Sequence, residues 1–76
     1  MVYAFVLLKT GAAASPSVLE VLTDLPAVRE AHVVAGEYDL IAEVEADEVH
    51  EILDLVSDTI QSIEGADETK TYITLD

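Results

Sequence analysis

The sequence predicts an α+β fold: a four-stranded antiparallel sheet with two helices on one of its faces, in the order β-α-β-β-α-β. Three observations lead there. Four short segments, Val2 to Lys9, Ala27 to Ala35, Leu40 to Ala46 and Glu68 to Leu75, are apolar or alternate apolar with polar residues. Two segments between them repeat apolar residues at helical spacing. The second and third strands are separated only by Gly36-Glu37-Tyr38-Asp39, too short for anything but a tight turn.

The first strand, VYAFVLLK, is apolar on both alternating faces, with Val2, Ala4, Val6 and Leu8 on one and Tyr3, Phe5 and Leu7 on the other. A strand of that kind sits in the middle of a sheet. After a loop over Gly11 to Ala14, Ser15-Pro16 reads as an N-cap followed by proline in the first helical position. Val18, Leu19, Leu22 and Leu25 follow at helical spacing, and Pro26 stops the helix. In the third strand Leu40, Ala42 and Val44 point one way and Ile41, Glu43 and Glu45 the other. Asp47 is the expected cap of the second helix, whose stripe is Val49, Ile52, Leu53, Val56, Ile60 and Ile63. Gly65 ends that helix as a C-cap glycine, and a threonine-rich strand closes the chain.

Two right-handed β-α-β crossovers put strand 1 beside strand 3 and strand 4 on the other side of strand 1. The result is a single domain over residues 1–76 with the ferredoxin-like βαββαβ arrangement. Two helices cover only one side of such a sheet. Tyr3, Phe5, Leu7, Ile41 and Tyr72 then form an apolar patch on the other side, rimmed by Glu43 and Glu45. A patch of that size is resolved by a partner, and the simplest partner is a second copy packed sheet to sheet, as in a dimeric α/β barrel.

Composition narrows the function. The 76 residues include 16 Asp plus Glu and three Lys plus Arg, a formal net charge of −13, yet 51% are hydrophobic. That hydrophobic share argues against disorder. A chain this short buries only roughly 60–65% of its unfolded surface, which again favours assembly. Lys9, Arg29 and Lys70 are scattered, so no phosphate-binding cluster exists and direct nucleic-acid binding is not expected. Cysteine is absent, which removes disulfides and thiolate metal sites. No stretch approaches a membrane span and the N-terminus lacks a signal-peptide pattern, so a cytoplasmic protein is expected. Acidic residues spread evenly along the chain suggest a halophilic, high-salt setting in which self-repulsion is screened.

The chemistry-bearing residues point away from catalysis. Ser15, Ser17, Ser57 and Ser62 have no base near them in sequence, and no phosphate-cradling glycine run occurs. His32 reads as a structural histidine, and His50, beside Glu51 and four residues before Asp54, as a member of a helix-surface ion pair. No metal and no cofactor is expected. The turn at Gly36 to Asp39 has some promise: Gly36 permits positive φ and close approach, its N–H groups suit a carboxylate, and Asp39 suits an ammonium. The same residues also suit an ordinary hairpin with an Asx-type bond.

The segment His32-Val33-Val34-Ala35-Gly36-Glu37-Tyr38-Asp39-Leu40-Ile41-Ala42-Glu43-Val44 resembles the V-x-G-x-(Y/F)-D-(L/Y) hairpin of the ligand-binding (RAM, regulation of amino acid metabolism) domain of Lrp/AsnC transcriptional regulators. Ala4-Phe5-Val6-Leu7, Leu25-Pro26-Ala27-Val28 and Ile63-Glu64-Gly65-Ala66 match the flanking elements, so the resemblance runs along essentially the whole chain. It implies dimers that assemble further, into octamers or decamers, with small effectors, usually amino acids, bound between dimers. It carries the effector loop onto Gly36, Glu37, Tyr38 and Asp39 and, by spacing alone, further contacts onto Thr69 and Thr71. Full-length members begin with a helix-turn-helix domain; here the ferredoxin unit starts at residue 2, like a stand-alone version. The expected role is therefore amino-acid sensing, or modulation of transcription through full-length regulators. Two rivals remain: a small monooxygenase-like dimeric enzyme, which needs a polar cavity inside the subunit, and a structural adaptor that binds no ligand.

Overall fold

A computed structural model describes residues 1–11 and 13–76; the expected loop at 11–14 includes Ala12, which lies outside the described residues. The elements are β1 (Val2–Thr10), α1 (Ser15–Asp24), β2 (Val28–Val33), β3 (Leu40–Ala46), α2 (Val49–Asp54) continuing as a π-helix over Leu55–Ile60, and β4 (Ala66–Ile73). The sheet is antiparallel in the order β2-β3-β1-β4. That is the arrangement expected of two right-handed crossovers.

Strand alternation decides what is buried. Ala4, Val6 and Leu8 of β1 face the helices with no exposed surface, as do Leu40, Ala42 and Val44 of β3. Val18 and Leu22 of α1 and Ile52 and Ile60 of the second helix close the core over them. Among the described residues no polar or charged side chain is buried, so this interior is wholly aliphatic. No described helix is long and apolar enough to cross a membrane.

Several local expectations need correction. Ala14, not Ser15, occupies the N-cap of α1, and the Ser15 hydroxyl instead meets Thr10 Oγ1 at 2.7 Å. Leu25 turns extended (ψ 127°), as a residue before proline must, and that ends α1. Glu48 rather than Asp47 caps α2, its N–H donating to Glu51 Oε1 at 2.8 Å. In the second helix Ile52, Val56 and Ile60 are buried, whereas Val49 and Leu53 are exposed. A four-residue repeat drifts around a helix of 3.6 residues per turn, and the looser π turns keep Ile52, Val56 and Ile60 in line. The helix stops at Ile60, so Gly65 is not its C-cap. Gly65 has φ +98° in the turn into β4, and a Cβ there would stand 2.8 Å from that of Ala14. β2 and β4 are offset from their expected bounds, with a bulge between Val28 and Glu30.

Candidate functional site

The side of the sheet away from the helices is laid out in rows by the strand register. His32, Ile41, Leu7 and Lys70 form one row, and Glu30, Glu43, Phe5 and Tyr72 the next. Tyr3 and Glu45 are paired beyond them, and Lys9 and Glu68 at the opposite end. Tyr3, Phe5, Leu7, Ile41 and Tyr72 thus share one open face; Phe5 is 38% and Tyr72 52% exposed. A shallow depression of about 110 Å3 opens there between Phe5, Glu30, His32, Ile41 and Glu43. His32 is therefore an exposed residue of this face, with Nε2 3.5 Å from Glu30 Oε1. Among the described residues His50 makes no ion pair, contrary to expectation.

All three cations of the chain also lie on this face, and each covers one of its three tyrosines. Lys9 Nζ is 5.4 Å from the ring centre of Tyr38, Arg29 Cζ 5.2 Å from that of Tyr3, and Lys70 Nζ 5.6 Å from that of Tyr72. Lys9 also pairs with Glu68 at 3.8 Å, and Arg29, at the bulge, with Glu45 at 3.9 Å. The neighbouring Tyr72 phenol, ahead of Tyr38, holds the Lys70 ammonium above the usual lysine range. Three cations thus offset the four carboxylates Glu30, Glu43, Glu45 and Glu68. The other twelve of the sixteen carboxylates lie on helices, turns and strand ends, without a single Lys or Arg. Cation–ring contacts strengthen when water leaves, so this face is better suited to burial than a net charge of −13 suggests.

The residues expected to hold an effector fall into two groups. Gly36, Glu37, Tyr38 and Asp39 form the turn between β2 and β3. Asp39 fixes that turn to β1: its N–H donates to the Leu8 carbonyl (2.9 Å), its carbonyl accepts from the Val34 N–H (2.9 Å), and its Oδ2 accepts from the Thr10 N–H (3.0 Å). The bond from its side chain spans 29 residues rather than closing a local Asx turn. Gly36 has no positive φ, and a Cβ there would meet nothing within 4 Å, so neither backbone strain nor crowding within this chain calls for glycine. Thr69 and Thr71 pair with Leu8 and Val6 and so point to the helix side; Thr69 Oγ1 accepts from Gln61 Nε2 at 3.0 Å. Tyr38 lies against Lys9 on the opposite side of the sheet. The turn and the threonines do not converge on one pocket within this chain.

The βαββαβ order with helices on one face defines a ferredoxin-like domain. The chain belongs to the Lrp/AsnC ligand binding domain family, whose model matches residues 3–76. It is 36% identical over 59 residues to an uncharacterized HTH-type transcriptional regulator of Pyrococcus abyssi, covering 78% of this chain and 39% of the relative. A crystal structure of FFRP-DM1 superposes with a TM-score of 0.94 at 39% identity, covering 99% of this chain and all (100%) of that one. E. coli AsnC superposes with a TM-score of 0.92 at 28% identity, over 99% of this chain and 51% of its own. The chain spans 37–39% of the length of the curated relatives it matches, which are named as transcriptional regulators.

Proposed function

We propose that this chain is a non-catalytic regulatory domain of the cytoplasm that assembles through its sheet face and binds a small effector, an amino acid, at the Gly36 to Asp39 turn. Two copies pair face to face through Tyr3, Phe5, Leu7, Ile41 and Tyr72, and the dimers assemble further, to an octamer or decamer. The effector sits where dimers meet, with Thr69 and Thr71 as additional contacts, and its occupancy modulates transcription indirectly, through the assembly or through full-length regulators that join it. The observation that carries this reading is the division of the candidate residues between two sides of one sheet. A turn fixed by Asp39 yet open around Gly36, and threonines pointing elsewhere, suit a pocket completed by another copy. The aliphatic interior supports the non-catalytic part, because a monooxygenase-like reaction needs polar groups between sheet and helices.

A thermal-shift screen against the twenty amino acids at high salt tests the effector. Saturation at about 100 times Kd adds about 2.7 kcal/mol, which for a domain of this size is a rise of roughly 10 °C or more in Tm. Asp39→Asn is the informative variant. An amide oxygen still accepts the Thr10 N–H, so the fold should persist, while the charge that attracts an ammonium is gone. Loss of the shift with Tm otherwise kept is the expected outcome. No shift with any amino acid in the parent chain would remove the effector from the account.

A further inference from the structure

We infer that the Gln61 amide and the Thr69 hydroxyl together read the effector's side chain, and that they select an amino acid ending in a carboxamide. This rests on the effector reading proposed above, and adds which amino acids the site takes. Gln61 ends the π turns of the second helix, its N–H donating to the Val56 carbonyl at 2.9 Å. Those widened turns keep residues four apart in one row, so Leu53, Ser57 and Gln61 share an exposed side of the helix. The bond from Gln61 Nε2 to Thr69 Oγ1, at 3.0 Å, sets that row beside β4, on the side of the sheet that Thr69 and Thr71 share.

Donors and acceptors decide what such a pair can recognise. Gln61 Nε2 uses one hydrogen on Thr69, which leaves Gln61 Oε1 free to accept and the Thr69 O–H free to donate. Turning the amide over exchanges these roles and still leaves one donor beside one acceptor. A carboxamide matches both at once, because it carries an N–H and a carbonyl oxygen on the same carbon. A carboxylate has no hydrogen for the acceptor, and it meets no counter-charge: all three Lys and Arg side chains lie on the opposite side of the sheet. An apolar side chain leaves the pair unsatisfied once a neighbouring copy covers it, and sites built on hydrogen bonds reject such analogues strongly. The effector's ammonium and α-carboxylate are left to the Gly36 to Asp39 turn, which has no side-chain amide.

Thermal-shift titrations at high salt test this, with asparagine, glutamine, aspartate, glutamate, leucine and methionine as probes. Asparagine or glutamine should bind the parent chain about tenfold or more tighter than its acid counterpart and than either apolar probe. Gln61→Met keeps the reach of the side chain and removes the amide, and should bring that preference to within about threefold. Thr69→Val, which removes the hydroxyl, should do the same. A helix merely loosened by the lost bond to Thr69 would weaken every probe alike, so the preference decides and not the affinity. A tightest probe without a carboxamide overturns the inference and leaves the effector reading standing. Variants that keep the parent's preference do likewise, and so does a shift confined to amino acids outside the six. No shift with any of the twenty removes the effector reading beneath it.

Discussion

Leu8→Ala is expected to cost about 2–5 kcal/mol, the range for a fully buried leucine shortened to a methyl group. Leu8 has no exposed surface and pairs with Leu40 on one side and Thr69 on the other, in the middle of the aliphatic layer under the helices. A domain of 76 residues at roughly 0.05–0.15 kcal/mol per residue has little more than that to lose. Urea titration at fixed protein concentration and high salt should show the midpoint falling with the slope unchanged. Leu7→Ala is the control. Leu7 is half-buried on the open face, so its truncation should leave the subunit's own packing intact and weaken association instead. Equal losses of subunit stability at both positions would mean that the two faces of β1 are not distinct.

Phe5→Asp is expected to break the assembly into single chains that keep their fold. Phe5 sits at the centre of the open face, between Glu43 on β3 and Tyr72 on β4, on the side of β1 opposite the core residues Ala4 and Val6. An aspartate there places a carboxylate beside Glu43 and directly opposite its own copy across the interface. Central aromatic positions of this kind carry much of the binding energy, and an unmatched buried charge adds several kcal/mol, so dissociation should increase by about 100-fold or more. Sedimentation equilibrium reads the mass, and far-ultraviolet circular dichroism reads the fold. An unchanged mass would place the interface elsewhere.

Much of this was legible in the sequence because it depends on local period. The strict alternation of Leu40 to Ala46 assigned β3 and its inward face, and the double apolar face of β1 placed it centrally. The turn could be located from its four residues and the neighbouring alternation. Features set by distant parts of the chain were not legible. The bond from Thr10 to Asp39 joins residues 29 apart and gives Asp39 a structural task that its position in a turn does not reveal. Two of the three cation–tyrosine matches, Lys9 with Tyr38 and Arg29 with Tyr3, join distant parts of the chain through the β1–β3 and β2–β3 pairings and the bulge at Arg29, whereas Lys70 and Tyr72 are near neighbours on β4. The π turns are not legible in the sequence, because apolar residues at positions 52, 56 and 60 fit a helix of either pitch within its tolerance. Scattered cations in the sequence turned out to be gathered on one face in space.

That gathering alters the meaning of the acidic composition. The sheet face is close to neutral, so the repulsion between copies comes from the twelve carboxylates outside it, which are screened when the Debye length falls to about 3 Å near 1 M salt. The most direct measurement is therefore the solution mass by light scattering as ionic strength is lowered from molar salt to dilute buffer. The account predicts a mass of at least twice the 8.2 kDa chain at high salt, declining as screening is withdrawn. A particle of 8.2 kDa at every ionic strength would contradict the covered sheet face, and an assembly equally firm in dilute buffer would contradict the reading of the charge.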